Sequence, residues 1–206
     1  MKVLEILVIA FVVGGFPWCW LAVWLFGARD KNGERQDLRK IGTGNVGASN
    51  AMEFVGVGWY LPLIAIDASK SISAIVIARK LEMPLEIVST CAFIAVLGHC
   101  YPIWLGFKRG KGVSCALGVL TAFGLWYPIM SWSLLIFLVT TGLSRRPSLG
   151  ILIATATMLA MAIFEAQHSL MIGMITALVW FQFRANILRL LQGKEPPYLK
   201  GRKTQT

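Results

Sequence analysis

The chain has 206 residues, of which 56% are hydrophobic and only 15% are charged, and its formal net charge at pH 7 is +10. A soluble globular domain carries about a quarter charged residues, so this composition excludes an ordinary water-soluble protein, and the apolar content excludes a disordered one. An excess of Lys and Arg can indicate nucleic-acid binding, but no separate basic domain is present, and basic residues beside membrane helices explain the excess. We therefore expect an all-α polytopic membrane protein that binds no nucleic acid.

Apolar runs long enough to cross a bilayer, which takes about 20 residues, follow one another along the chain. The first contains Pro17, which predicts a kink or break in that helix. A later run is too long for one crossing, and Pro128 in its middle predicts a turn between two short helices. The seven predicted helices are residues 3–26, 54–78, 86–105, two within 113–143, 149–164 and 169–191.

The distribution of charge supports this count. With the N-terminus outside, the inside segments hold 16 of the 20 Lys and Arg residues, and the outside segments hold three. Because Lys and Arg are enriched in cytoplasmic loops, the pattern predicts the N-terminus outside and the C-terminus in the cytoplasm. No linker, low-complexity segment or internal repeat interrupts the chain, so we expect one integral-membrane domain over residues 1–206.

Few residues within the apolar runs could carry chemistry. The four cysteines form no CxxC pair, which favours buried thiols over disulfides or zinc ligands. His99 and His168 lack the partners that a metal site needs, so we expect neither metal nor cofactor. Asp67 and Lys70 lie three residues apart, share a helix face and can neutralise each other. A structural pair is favoured, with a proton relay as the alternative.

Two glycine-rich segments are candidates for anion binding. The first, Arg39–Asn50, has three glycines within six residues, which can bring backbone N–H groups close to a ligand. The second, Gly98–Val113, has glycines on both sides of Lys111, and a helix begins directly after it. Backbone donors, cations and a helix N-terminus together suit a phosphate, although the spacing is not that of a Walker A motif. The alternatives are a flexible loop with helix-capping residues and a topology-setting basic loop.

Two later segments add cations on the same predicted side. Ser144–Gly150 contains an arginine pair, a group that binds phosphate well or that only sets topology. In Phe183–Arg189, positions 183, 186 and 189 share one helix face, which indicates either a cleft or an amphipathic helix end at the lipid headgroups. Four such segments beside apolar helices predict an anion-binding cleft for a phosphorylated small substrate and an acyl chain.

At these motifs the sequence resembles the PlsY family of bacterial membrane glycerol-3-phosphate acyltransferases. The family loop Gly-Ser-Gly-Asn-x-Gly-Ala-Thr-Asn is matched by residues 42–50, and its Asp-x-x-Lys pair by Asp67 and Lys70. Its Gly-His-x-x-Pro and Phe-Lys-Gly-Gly-Lys-Gly-Val motifs are matched within residues 98–113. Its Ser-Leu-Gly and Asn-Ile-x-Arg-Leu motifs are matched by residues 148–150 and 186–190. The resemblance extends over nearly the whole chain.

The resemblance implies transfer of an acyl group from acyl phosphate to the 1-hydroxyl of glycerol 3-phosphate, which yields lysophosphatidic acid in the bacterial inner membrane. It implies catalytic roles for Thr43, Lys111 and Asn186. The residues expected to bind substrate and phosphate are Arg39, Gly44, Asn45, Asn50, His99, Lys108, Gly110, Arg145, Ser148 and Arg189.

The sequence also departs from the family pattern. Glu53 lies where the family usually has Arg, and Phe183 lies where it usually has His. The expected function is therefore a working acyltransferase, and the alternative is a catalytically impaired paralogue that acts as a lipid-binding or structural subunit of a membrane complex. An anion transporter fits less well, because the charged groups cluster on one predicted side and a transporter site usually lies near the bilayer midplane.

Overall fold

The computed structural model describes residues 2–27, 29, 32–107, 110–125, 129–164 and 167–197. Within these ranges every regular element is helical, as predicted. The chain divides into two compact units, Met1–Gly124 and Leu125–Thr206. The helices are α1 (Val3–Gly14), α2 (Trp18–Phe26), α3 (Ala48–Val55), α4 (Tyr60–Lys80), α5 (Leu85–Cys100), α6 (Val113–Ala122), α7 (Ser131–Ser144), α8 (Pro147–Ala162), α9 (Ser169–Gln182) and α10 (Arg184–Leu191).

Three described stretches are long and apolar enough to cross a membrane, namely Val3–Phe26, Val57–Lys80 and Leu85–Leu105. A fourth is added if α9 and α10, which are bent by 63° relative to each other, form one broken span. The other apolar helices, α6, α7 and α8, are shorter, at 10, 14 and 16 residues. The membrane class is thus confirmed, whereas the count of seven crossings stays a prediction.

The predicted break in the first span is confirmed. α1 ends at Gly14 and α2 begins at Trp18, so Pro17 lies at the junction. A proline has no backbone N–H and interrupts the helical hydrogen bonds, which leaves nearby carbonyl groups without helical partners. The side chain of Lys70 donates to one of them, the carbonyl of Phe16, at 3.0 Å. A charged side chain of α4 therefore supplies a hydrogen-bond donor to the backbone at the break between α1 and α2.

One predicted helix boundary is wrong, and one predicted helix is divided into two. The second span begins at Val57, not at residue 54, because Gly56 adopts a φ of +103° and ends the separate helix α3. The predicted helix 169–191 is two helices that meet at Phe183, whose side chain is buried at the bend. The N–H of Phe183 is shared between the carbonyls of Val179 and Trp180, as at many helix ends. The predicted division of 113–143 into two helices is confirmed by α6 and α7, while Pro128 lies outside the described residues.

In the first unit, α4 contacts α1, α5 and α6. The close packing of α1 on α5 depends on glycine: a Cβ atom on Gly14 would collide with the backbone of Ala95, and one on Gly98 with the carbonyl of Phe11. Small residues of this kind let membrane helices approach closely. The buried polar residues of α4, among them Asp67 and Lys70, are enclosed by these neighbouring helices.

The second unit is organised around α8. α7 and α8 pack together, and a Cβ atom on Gly150 would collide with the side chain of Thr141. The indole Nε1 of Trp180 donates to the hydroxyl of Thr155 at 2.9 Å and ties α9 to α8. These contacts fix the start of α8 and the end of α9, where the sequence places candidate site residues.

All four cysteines are free and buried, as predicted. Two of them are more than small hydrophobes, however. The Sγ atom of Cys19 donates to the carboxylate of Asp67 at 3.2 Å, and that of Cys115 donates to the Asp67 carbonyl at 3.1 Å. Both thiols therefore belong to the polar core of the first unit.

Candidate functional site

The first glycine-rich loop is held together by the side chain of Asn50, which is 2% exposed. Its Oδ1 accepts the N–H of Thr43 at 2.9 Å, and its Nδ2 donates to the carbonyls of Leu38, Ile41 and Asn45 at 3.3, 3.2 and 2.8 Å. The loop passes so close that a Cβ atom on Gly42, at a φ of +55°, would collide with Oδ1 of Asn50. Asn50, predicted to bind substrate, thus organises the loop through its own side chain.

Three further predicted residues lie on this loop. The hydroxyl of Thr43 is exposed and accepts the N–H of Asn45 at 3.3 Å. Gly44 is buried with a φ of +67°, a conformation that favours glycine. The Oδ1 atom of Asn45 is buried and has no hydrogen-bond partner in the described part of the chain. The loop therefore offers a hydroxyl and an amide oxygen to a ligand.

Arg39, at the start of the loop, is paired with a carboxylate that was not predicted from the sequence. Its Nε lies 3.0 Å and its NH2 group 2.7 Å from Asp37, and Trp20 donates its indole N–H to Asp37 at 2.9 Å. The Arg39 side chain and the indole hold the pKa of Asp37 well below its usual range. Arg39 is thereby fixed at the mouth of the loop with part of its charge neutralised.

The second glycine-rich loop is seated on the end of α5. A Cβ atom on Gly110 would collide with the carbonyl oxygen of His99, and the N–H of Gly110 donates to the carbonyl of Cys100 at 3.3 Å. Gly112, with a φ of +80°, precedes α6, and the half-buried Lys111 lies between the two glycines. The structure thus places His99 against Gly110, the residue before Lys111, whereas Lys108 lies outside the described residues.

A polar network lies beneath this loop. Asp67 and Lys70 form the predicted pair, with 2.7 Å between Oδ1 and Nζ, and both side chains are at most 4% exposed. Lys70 also lies 3.0 Å from Nδ1 of His99, a contact that the sequence did not suggest. The pair is therefore linked to a predicted site residue.

In the second unit a single carboxylate gathers three predicted residues. Oε1 of Glu195 accepts the Ser148 hydroxyl at 2.6 Å and the Asn186 amide at 2.7 Å, and Oε2 accepts Nε of Arg189 at 2.7 Å. Glu195 is 6% exposed. Burial by itself would raise the pKa of Glu195, but the bonds from Ser148, Asn186 and Arg189 outweigh it and lower the pKa. The start of α8 and the helix α10 are thereby joined through an ionised carboxylate.

Glu195 was not among the residues predicted from the sequence, although one signal was available. It is the only acidic residue in the basic segment from residue 184 to the end of the chain. A lone carboxylate among cations is a natural partner for one of them. The predicted common face is confirmed for Asn186 and Arg189, which bind the same carboxylate, while Phe183 is buried at the bend.

Arg145 and Glu53, two positions singled out from the sequence, both lie at the surface of the described structure. Arg145, a predicted phosphate ligand, adopts a left-handed φ of +55° in the turn between α7 and α8. Glu53 is exposed on α3. Both residues are exposed and neither is packed in the core.

The sequence matches the glycerol-3-phosphate acyltransferase family over residues 4–193. The chain belongs to this family. It is 36% identical over 172 residues to a glycerol-3-phosphate acyltransferase of Paramagnetospirillum magneticum, covering 82% of this chain and 84% of the relative. A relative of the same name from Nitrobacter winogradskyi is 37% identical, with 78% and 81% covered.

Solved structures agree with the family. The crystal structure of PlsY, an integral membrane glycerol 3-phosphate acyltransferase, in its glycerol 3-phosphate form matches with a TM-score of 0.81 and 30% identity, over 95% of this chain and 94% of that one. The lysophosphatidic acid form of PlsY matches with a TM-score of 0.80 and 28% identity over the same shares. The family resemblance predicted from the motifs is thus confirmed.

Proposed function

We propose that this chain transfers an acyl group from acyl phosphate to the 1-hydroxyl of glycerol 3-phosphate and releases lysophosphatidic acid and phosphate. The observation that carries this proposal is the Gly110–Lys111–Gly112 turn at the start of α6, in a chain that shares its fold with the glycerol 3-phosphate form of PlsY. Acyl phosphate as the donor is supported by the motif resemblance.

The two glycine-rich loops of the first unit supply phosphate binding in this proposal. Lys111 contributes positive charge, and the α6 N-terminus contributes backbone N–H groups, which together favour an anion. Lys108 and Arg39 add charge along the same loops. The exposed hydroxyl of Thr43 is suited to donate to a phosphate oxygen. The Oδ1 of Asn45, unpartnered among the described residues, is suited to accept from a glycerol hydroxyl.

The reaction itself needs close positioning of two anionic substrates. Cations that screen the repulsion between two phosphates stabilise the developing charge, and fixed geometry removes the entropic barrier to their encounter. The glycerol O1 forms a bond to the acyl carbon, the bond from that carbon to the phosphate oxygen breaks, and the departing phosphate accepts the hydroxyl proton. This role is given to the phosphate in the proposal, since Phe183, at the position where the family usually has His, has no basic group.

The motif resemblance adds Ser148, Asn186, Arg189 and Arg145 to the site residues of this proposal. Glu195 binds the first three, so that the Asn186 amide and the Arg189 guanidinium are held in fixed orientations. Asn186 acts on the reacting groups, and the two arginines bind phosphate.

We also propose the finer membrane arrangement. The chain crosses the bacterial inner membrane seven times as one domain, with the N-terminus outside and the glycine-rich loops in the cytoplasm. The support is the asymmetry of Lys and Arg, of which 16 of 20 lie in the proposed cytoplasmic segments. Reporter fusions at residue 82 and after residue 197 test it. Periplasmic activity at 82 and cytoplasmic activity at the end are expected, and the reverse pattern would refute it.

The acyltransferase is tested by incubating the purified protein with palmitoyl phosphate and labelled glycerol 3-phosphate. We expect lysophosphatidic acid from the parent and from Lys80→Ala, a matched control that removes an exposed lysine at the end of α4. Lys111→Ala and Asn186→Ala should lose most of the activity. A folded parent that yields no product, while a known family member is active in the same assay, would indicate the catalytically impaired paralogue instead.

A further inference from the structure

The ammonium group of Lys70 is surrounded by three acceptors in the core of the first unit. Its Nζ lies 2.7 Å from Oδ1 of Asp67, 3.0 Å from the Phe16 carbonyl and 3.0 Å from Nδ1 of His99. A lysine ammonium has three N–H donors and no acceptor, so each contact uses one proton. Nδ1 of His99 is therefore the acceptor in its contact with Lys70.

This contact fixes the tautomer of His99. A neutral imidazole that accepts at Nδ1 carries its proton on Nε2. The arrangement is held from the opposite side as well, because Oδ2 of Asp67 accepts the thiol of Cys19 at 3.2 Å. Asp67, Lys70 and His99 are all buried, so none of these bonds competes with bulk water.

The other edge of the imidazole faces the second glycine-rich loop. A Cβ atom on Gly110 would lie 2.8 Å from Cδ2 of His99, the ring carbon that is bonded to Nε2. Gly110 is also tied to the end of α5 by its bond to Cys100. The chain segment that leads into Lys111 is thus seated on the ring edge that carries the Nε2 proton.

We propose that Asp67 and Lys70 are positioning residues that hold His99 as the Nε2–H tautomer, so that His99 offers an uncharged donor to a phosphate oxygen held by the loop Gly110–Lys111–Gly112. This inference rests on the proposed function for the identity of the phosphate ester. A neutral imidazole adds a directional hydrogen bond to the charge that the flexible Lys111 side chain supplies. The buried ion pair of Asp67 and Lys70 determines which imidazole nitrogen donates that bond.

The tautomer can be read directly by nitrogen NMR. The chain has only two histidines, so His168→Gln leaves His99 as the single signal in protein labelled with ¹⁵N-histidine. We expect Nδ1 to be unprotonated and Nε2 protonated. Addition of glycerol 3-phosphate or inorganic phosphate should shift the Nε2 resonance more than that of Nδ1. A protonated Nδ1, or an Nε2 resonance that is unchanged at saturating glycerol 3-phosphate, would overturn the proposal.

Substitutions separate positioning from general stability. In His99→Gln the side-chain amide N–H extends to about the reach of Nε2, whereas in His99→Asn it corresponds to Nδ1. We expect the KM for glycerol 3-phosphate to rise about 10- to 100-fold in His99→Asn, the loss of one hydrogen bond to a charged group, and less in His99→Gln. Lys70→Met should abolish the tautomer preference. If the two His99 variants show the same fall in kcat, the same rise in KM and the same fall in thermal stability, the role of His99 is merely structural.

The two proposals fail in different ways. An inactive parent whose Nε2 resonance still responds to glycerol 3-phosphate would refute the acyltransferase and support the role of His99. An active parent whose Nε2 resonance does not respond would refute the role of His99 and leave the acyltransferase intact. If the parent is inactive and the resonance does not respond, both are refuted.

Discussion

Replacement of Glu195 by glutamine tests the structure most directly. The change keeps the shape of the side chain and removes its charge. A glutamine has one oxygen and one NH2 group, so it can accept from Ser148 and Asn186 but must then turn its NH2 group toward Nε of Arg189. Two donors would face each other, and Arg189 would be released.

The size of the effect follows from these three bonds. Hydrogen bonds to a charged group contribute about 1.5–3 kcal/mol each, against about 0.5–1.5 kcal/mol for neutral ones. The two buried bonds should therefore each lose about 1–1.5 kcal/mol. The Arg189 side chain is 45% exposed, so solvent screening limits its pair to less than about 1 kcal/mol. In total, the free energy of unfolding should fall by about 2–4 kcal/mol.

Thermal unfolding in detergent measures this change. All four cysteines are free and buried, so a thiol-reactive fluorescent dye reports unfolding without any added label. A loss of about 2–4 kcal/mol corresponds to a fall in Tm of about 5–15 °C for a chain of this length. Glu86→Gln is the control, because Glu86 is exposed in the first turn of α5 and should matter by less than about 1 kcal/mol. A Tm for Glu195→Gln that equals that of the parent would refute the organising role of the carboxylate.

Three further outcomes are expected. Gly110→Ala should raise the KM for glycerol 3-phosphate at least about tenfold, because the new methyl group would displace the loop from the His99 carbonyl; unchanged kinetics would contradict the seating of the loop. Asn50→Ala removes the side chain that holds the first loop, and we expect a fall in stability of about 2–4 kcal/mol by dye-monitored unfolding, whereas a change under about 1 kcal/mol would show that the loop is held by other contacts. The pKa of Glu195 is lowered in the folded protein, so its stabilisation is present above the unfolded pKa of about 4.3 and is lost as the pH falls through the folded value. Unfolding followed from about pH 6 downward should therefore show a steeper loss for the parent than for Glu195→Gln, and parallel curves would contradict the shift.

The glycine positions illustrate how much of the site could be predicted. The spacing of glycines around Lys111 and along residues 42–47 marked both loops as close-approach segments, and positive φ angles at Gly42, Gly44 and Gly112 agree with that prediction. The partners of those loops were not predictable. The carbonyl of His99 and the side chain of Asn50 reach the loops only because of where α5 ends and α3 begins.

The sequence by itself determined the features that depend only on residues close together along the chain. Composition and apolar run length established the membrane class, Pro17 predicted the break between α1 and α2, and the spacing of Asp67 and Lys70 predicted their ion pair. Each of these features follows from composition, from helical periodicity or from the chemistry of one residue, so it can be predicted without knowledge of tertiary contacts.

Only the tertiary structure decided which polar groups that are distant in the sequence form hydrogen bonds with each other. The contact of Lys70 with His99 spans 29 residues, its contact with Phe16 spans 54, and that of Ser148 with Glu195 spans 47. Such pairs form because buried polar groups must find partners within the packed helices, and the partner is whichever group the packing brings within hydrogen-bond distance. The bend at Phe183 was not predictable from local pattern either, because the junction of α9 and α10 contains neither Gly nor Pro, and only the structure shows Phe183 buried there.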